Sequence, residues 1–172
     1  MLASILELLG IRQDTAGVAQ VPDAVHEIVS RLHRLEPRRA RYLAAFAVVL
    51  SRVANADLDI SDVERAKMAE LLTERGKLTA DEAAMVVQVA AARSQESGGT
   101  EHFLATREFN ELATRAQREE LLDCLFAVSA ADESISNAEE NQMRQIASEL
   151  GFTQAELAQV RSRWNRYREI LK

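Results

Sequence analysis

Two short acidic runs hold the residue types in this chain best suited to chemistry. The first contains Asp57, Asp59 and Glu64, with Ser61 between them. The second contains Asp132, Glu133 and Glu139, with Ser134 standing where the first has Asp59. Carboxylates gathered at a turn are the hard oxygen ligands that Ca²⁺ and Mg²⁺ prefer. The predicted metal ligands are therefore Asp57, Asp59, Glu64, Asp132 and Glu139, with the second set the weaker for its missing aspartate. Asp57 and Asp132 fall at the C-terminal ends of predicted helices. A carboxylate there faces the negative end of the helix dipole, at a cost of about 0.3–1 kcal/mol. Either a cation or an Asx-turn onto backbone N–H groups two residues on would compensate. The run Asp57-x-Asp59-x-Ser61 imitates the start of an EF-hand loop. Loop position six, however, is Asp62 (Asn137 in the second run) rather than Gly, and position twelve is Met68 rather than an acid. An EF-hand is excluded on both counts.

The same acids have a competing structural role. Ser61-x-x-Glu64, Ser136-x-x-Glu139, Thr79-x-x-Glu82 and Thr153-x-x-Glu156 are four capping boxes. In each, the hydroxyl accepts from the backbone N–H three residues on, and the glutamate reaches back to the N–H of the cap. Each cap stabilises its helix by about 1 kcal/mol. Metal ligation by Glu64 or Glu139 must compete with this role.

Other constellations carry less. The lone Cys124 forms no intramolecular disulfide and no cysteine-based zinc site. It sits in the apolar run Leu121, Leu122, Leu125, Phe126 and reads as a small core residue. His26, His33 and His102 show no ligand spacing among themselves and read as surface residues. Glu119, Glu120 and Asp123 read as a solvated acidic patch. The segment Arg161-Ser-Arg163-Trp164-Asn-Arg166-Tyr167-Arg168 interleaves arginine with aromatics, a pattern used on nucleic acid. Trp164 and Tyr167, three apart, instead read as anchors of a terminal helix. The arginines at 31, 34, 38, 39 and 41 form a cluster suited to anionic lipid or to an acidic protein surface, or to plain solvation at a helix junction. There is no phosphate loop, nucleophile–base pair or metalloprotease motif, so no enzyme is expected.

The elements that must position these residues are helical. The chain has 172 residues, 47% hydrophobic and 28% charged, with 28 Ala and only 6 Gly and 2 Pro. That composition suits strong helix formers and leaves too few turn residues for a β protein. A net charge of −6 argues against a general nucleic-acid binder. The longest apolar stretch, Tyr42–Leu50, is too short to span a membrane. The first ten residues lack a basic n-region and read as a short amphipathic helix rather than a signal peptide. Cytoplasmic localisation follows as the expectation, with peripheral association at the inner face of the membrane as its variant. Periodicity predicts helices over 24–35, 38–56, 62–75, 79–93, 101–113, 116–131, 137–149 and 154–171, with Gly76 as a helix stop. Pro37 opens a helix at a position where proline is tolerated.

The chain also resembles itself. At an offset of 75, ten of the 27 positions from Leu50 to Gly76 are identical, among them Asp57/Asp132, Ile60/Ile135, Ser61/Ser136, Glu64/Glu139 and Gly76/Gly151. Dropping one residue then sets Thr79 against Thr153 and Glu82 against Glu156. Two helix–acidic turn–helix copies, about 42–93 and 116–171, should pack on one another with pseudo-twofold character. The predicted fold is all-α: a single helical bundle over 40–172, with residues 1–39 packed on it. Leu50, Val53, Leu125, Phe126 and Val128 are expected to share its core.

A long apolar helix, Ala-x-Ala-Asp57, a short turn, then Ile60-Ser61-x-x-Glu64 resembles the TerB-like domain family. This family includes the tellurite-resistance TerB proteins and the N-terminal domain of DjlA-type co-chaperones. Ser129-Ala-Ala-Asp132-Glu-Ser-Ile135-Ser136-x-x-Glu139, followed by Leu150-Gly151-Phe152-Thr153, is closer still to the family signature. Where family members carry Gly after the aspartate, this chain has Leu58 and Glu133. The resemblance implies a non-enzymatic all-α domain of cytoplasmic bacterial proteins. It further implies links to tellurite and stress resistance and to membrane-associated complexes, and divalent ions at the acidic turn.

Overall fold

The computed structural model describes residues 23–54, 61–92 and 99–167, and their regular structure is helical. Eight α-helices follow one another: α1 (Asp23–Leu32), α2 (Pro37–Ala54), α3 (Asp62–Arg75), α4 (Ala80–Ala92), α5 (Gly99–Leu112), α6 (Arg115–Ser129), α7 (Asn137–Glu149) and α8 (Gln154–Ser162). Single 3₁₀ turns at Ala130–Asp132 and Asn165–Tyr167 complete the described residues. The predicted metal ligands Asp57 and Asp59 lie outside these residues, as does the predicted N-terminal amphipathic helix.

Helix α2 is the axis of the bundle. Every residue from Tyr42 to Ser51 is buried, and α4, α5, α6 and α7 pack around it. An apolar run without a polar stripe is what a helix enclosed on all sides requires. Leu50, Val53, Leu125 and Phe126 lie in one continuous core, with Val128 at its margin. An aromatic cluster of Tyr42, Phe46 and Phe109 joins α2 to α5, with ring centroids 5.0–6.2 Å apart. Pro37 occupies the first position of α2, and the Glu36 carboxylate caps that helix by accepting from Arg38 N–H and Arg39 N–H, both at 3.0 Å.

The four predicted capping boxes are all formed. A fifth, Thr114 with Gln117, starts α6. Its Thr-x-x-Gln pattern is a capping box with glutamine in place of glutamate.

The two aligned glycines do different work. Gly151 takes φ +78° after α7, where Gly151 N–H donates to Ser148 O and Phe152 N–H to Ala147 O. These are the paired bonds of a Schellman ending. Gly76 stays right-handed at φ −84°, and Lys77 takes the left-handed conformation at φ +53°. The extra residue that breaks the internal alignment is thus absorbed by moving the left-handed position one place along. Gly76 is required for space: a Cβ there would lie 2.8 Å from Leu72 O and 3.2 Å from Cys124 Sγ.

The last helix is shorter than its predicted span of 154–171. It ends at Ser162, and i→i+3 bonds from Trp164 N–H to Arg161 O and Tyr167 N–H to Trp164 O tighten the chain into a 3₁₀ turn. The tightening brings the Trp164 side chain inward, to 8% exposure.

Candidate functional site

At the start of α3, Ser61 N–H donates to Glu64 Oε2 at 2.6 Å, and Glu64 N–H donates to Ser61 Oγ at 3.3 Å. Hydrogen bonds from the Ser61 hydroxyl and backbone hold the Glu64 carboxyl below the usual glutamate range. Every residue from Ser61 to Lys67 is exposed, so this helix start stands in solvent on all its faces. Val63 is 79% exposed.

The second acidic turn follows α6. Helix α6 passes into the 3₁₀ turn Ala130–Asp132, which ends at Glu133 with φ +68° and a bond from Glu133 N–H to Ala130 O at 3.0 Å. This is the position at which the TerB-like pattern has glycine. Ile135 follows, fully buried, and its N–H donates to Tyr167 O at 2.7 Å. Ser136 then caps α7. Its N–H (2.9 Å) and hydroxyl (2.8 Å) both donate to Glu139 Oε2, and Glu139 N–H returns to Ser136 Oγ at 3.2 Å. The Asp132 side chain lies outside the described residues. Among the described residues, no three His, Cys, Asp or Glu side chains converge as a metal site. The structure therefore brings Ser61 to Glu64 and Ser136 to Glu139, in both cases as caps.

Glu140, next to the second cap, is buried to 2% exposure, and Arg161 (3.3 Å) and Arg144 (3.6 Å) approach its Oε1. The spacing to Arg144 is a readable i,i+4 pair. Arg161 is supplied by the packing of α8.

The acids predicted as a solvated patch have partners inside the molecule. Lys77 pairs with Glu120 at 2.7 Å and Arg163 with Glu119 at 3.3 Å. Asp123 takes Arg75 at 2.8 Å, Arg163 at 3.6 Å and the Trp164 Nε1–H at 3.1 Å. The Arg75 guanidinium lies 4.8 Å above the Trp164 ring. These partners come from the end of α3 and the residues just after it, and from the segment between α8 and the C-terminal 3₁₀ turn, far along the chain, so no local pattern announced them. Arginines of the N-terminal cluster are also engaged. Arg39 is bidentate with Glu82, both bonds at 2.7 Å; Arg41 pairs with Glu108; and Arg38 donates to Leu112 O at 3.1 Å. Cys124 is enclosed, and burial pushes its thiol up to about 12, which suppresses thiolate chemistry.

An all-α bundle built around a long central helix, with a capped helix start after each acidic run, is the class that the fold defines. A sequence model of the family described as tellurite resistance protein TerB matches residues 43–162, well over half the chain and the span that holds both turns; the chain belongs to the TerB family. Neither the curated proteins nor the solved structures returned a match. No helix among the described residues is long and apolar enough to cross a membrane.

Proposed function

We propose that the chain is a non-enzymatic protein-interaction module of a tellurite- or stress-resistance system, with its acidic turns holding a divalent cation, Ca²⁺ or Mg²⁺. The observation that carries this reading is the TerB match across both turns. Asp57, Asp59 and Glu64 would form the stronger site, and Asp132 with Glu139 the weaker. Affinity rises with the number of charged oxygen ligands, and Ser134 replaces the second aspartate in the second turn. Partners are proteins rather than nucleic acid, in keeping with the net charge of −6. The expected compartment is the cytoplasm, including the inner face of the membrane.

Calorimetric titration of metal-free protein with Ca²⁺ and with Mg²⁺ tests the cation. Binding should raise thermal stability by mass action, by about 2.7 kcal/mol at 100 times the dissociation constant. The gain should vanish in Asp57→Asn, which keeps an Asx-turn and removes a charge. A strain lacking the protein should lose growth on tellurite and regain it with the wild-type chain.

One observation favours a ligand-free partner-binding bundle instead: Glu64 and Glu139 each commit Oε2 to their own helix caps. Titrations without heat or melting shift up to millimolar ion would select that second reading.

A further inference from the structure

We propose that the C-terminal 3₁₀ turn, Asn165–Tyr167, is a latch that sets the geometry of the second acidic turn, with Trp164 as its fastener. The latch grips the turn directly, because the Ile135 N–H donates to the Tyr167 carbonyl at 2.7 Å. Trp164 fastens the latch to the body of the bundle. It is 8% exposed, its Nε1–H donates to Asp123 Oδ1 at 3.1 Å, and Arg75 covers its ring at 4.8 Å. Asp123 binds Arg75 and Arg163 as well, so the fastening joins the end of α3, the middle of α6 and the latch itself. The turn held in this way contains Glu133 at φ +68°, a conformation that a residue with a Cβ disfavours and that persists where the surroundings enforce it.

Around the helix starts that follow the two acidic runs, alike in sequence, the described residues differ. The alignment that pairs Thr79 with Thr153 sets Ala90 opposite Trp164, and Ala90 is a buried residue inside α4, which runs on as helix to Ala92. The start of α3 stands in solvent from Ser61 to Lys67, whereas behind the second turn Ile135 and Glu140 are buried. If a cation occupies the second turn, the latch preorganises that site. Linkage then requires that undocking Trp164 weaken binding there and that binding tighten the latch. That step rests on the cation reading above; the latch itself does not.

Hydrogen exchange of the full-length chain tests the latch at the Ile135 amide. In Trp164→Ala, Ile135 should lose protection by about tenfold or more while the Phe46 and Leu125 amides of the core keep theirs. Asp123→Ala should release the same amide from the other side of the fastening, and should expose the chain's single tryptophan to acrylamide quenching. The double variant should lose no more than either single one, since both break one connection. If Trp164→Ala reaches the core amides, Trp164→Phe gives the comparison, keeping a smaller ring under Arg75 while removing the Nε1 donor. Wild-type exchange at Ile135 in these Trp164 variants would overturn the latch. Ca²⁺ titration of the same proteins should show one of two sites weakened by about tenfold. A wild-type protein that takes up no cation would remove the cation reading, and the exchange result would still decide the latch.

Discussion

Glu133, Gly76 and Gly151 show how far a residue's type reports its backbone. Glu133 sits at φ +68° where the TerB-like pattern has glycine, and a left-handed residue with a Cβ costs about 1–2 kcal/mol. Glu133→Gly should therefore raise the urea midpoint, with a gain of about 1 kcal/mol remaining after the larger chain entropy of glycine in the unfolded state. Gly76→Ala should destabilise by about 1–3 kcal/mol, because its Cβ would press on Leu72 O and Cys124 Sγ. Both changes are read by chemical denaturation. An unchanged midpoint in Gly76→Ala would show that α6 moves aside to admit the methyl. Glycine in the sequence marked both helix ends, but it did not distinguish a need for positive φ from a need for space. That distinction depends on what packs against the position.

Helix starts are the elements most legible in this chain. A hydroxyl followed three residues later by Glu or Gln is a local device, and each such device predicted from the sequence forms in the structure. Ser61→Ala and Ser136→Ala should each lower stability by about 0.5–2 kcal/mol. The second should cost more, because the Ser136 hydroxyl also donates to a part-buried glutamate. Equal wild-type midpoints for both variants would refute the capping account of the shared motif. At the start of α4, Glu82 is capped by Thr79 and gripped by Arg39. The Arg39 hydrogen bond leads in holding its carboxyl below the ordinary range, against burial, which pushes it up. A carboxyl depressed in the folded state contributes stability above its unfolded value, about 4.3. That contribution is lost as the pH falls through the folded value. Arg39→Ala should consequently flatten the acid side of the stability–pH profile and leave the alkaline side in place. Helix ends were less legible: α8 stops at Ser162 because Trp164 turns inward, and its partners lie on α3 and α6.

At the scale of the whole molecule, α2 is surrounded and the bundle depends on what meets it. Phe126→Ala should cost about 3–5 kcal/mol, the usual penalty for emptying a fully buried aromatic site. Near the end of α2, the Arg52 side chain is 3% exposed and donates to both oxygens of Glu149 on α7 and to Thr106 Oγ1 on α5. Burial pushes the Glu149 carboxyl up, and the hydrogen bond and charge of Arg52, together with hydrogen bonds from Thr106 and Gln145, leave it below the usual glutamate range. Arg52→Ala should destabilise by about 3–5 kcal/mol, since it strands a largely buried carboxylate. Replacing Arg52 and Glu149 together with methionine and leucine should restore most of that loss, as measured by thermal and chemical denaturation. Equal destabilisation in the single and double variants would mean that the pair contributes through more than its charge.

Composition, periodicity and capping signals by themselves determined the helical class, the capped helix starts and the apolar run that becomes α2. All of these are local: they depend on residues within one or two helical turns of each other, whose energies act wherever the chain lies. Tertiary structure alone decided which charges find partners, as with Asp123 between Arg75 and Arg163, or Arg52 between Thr106 and Glu149. It also decided that the start of α3 is exposed while Ile135, in the second acidic turn, is held by Tyr167. Ion pairs and side-chain docking need groups brought together from distant parts of the chain. Many arginines could satisfy the same carboxylate, and only the packing of the helices selects among them.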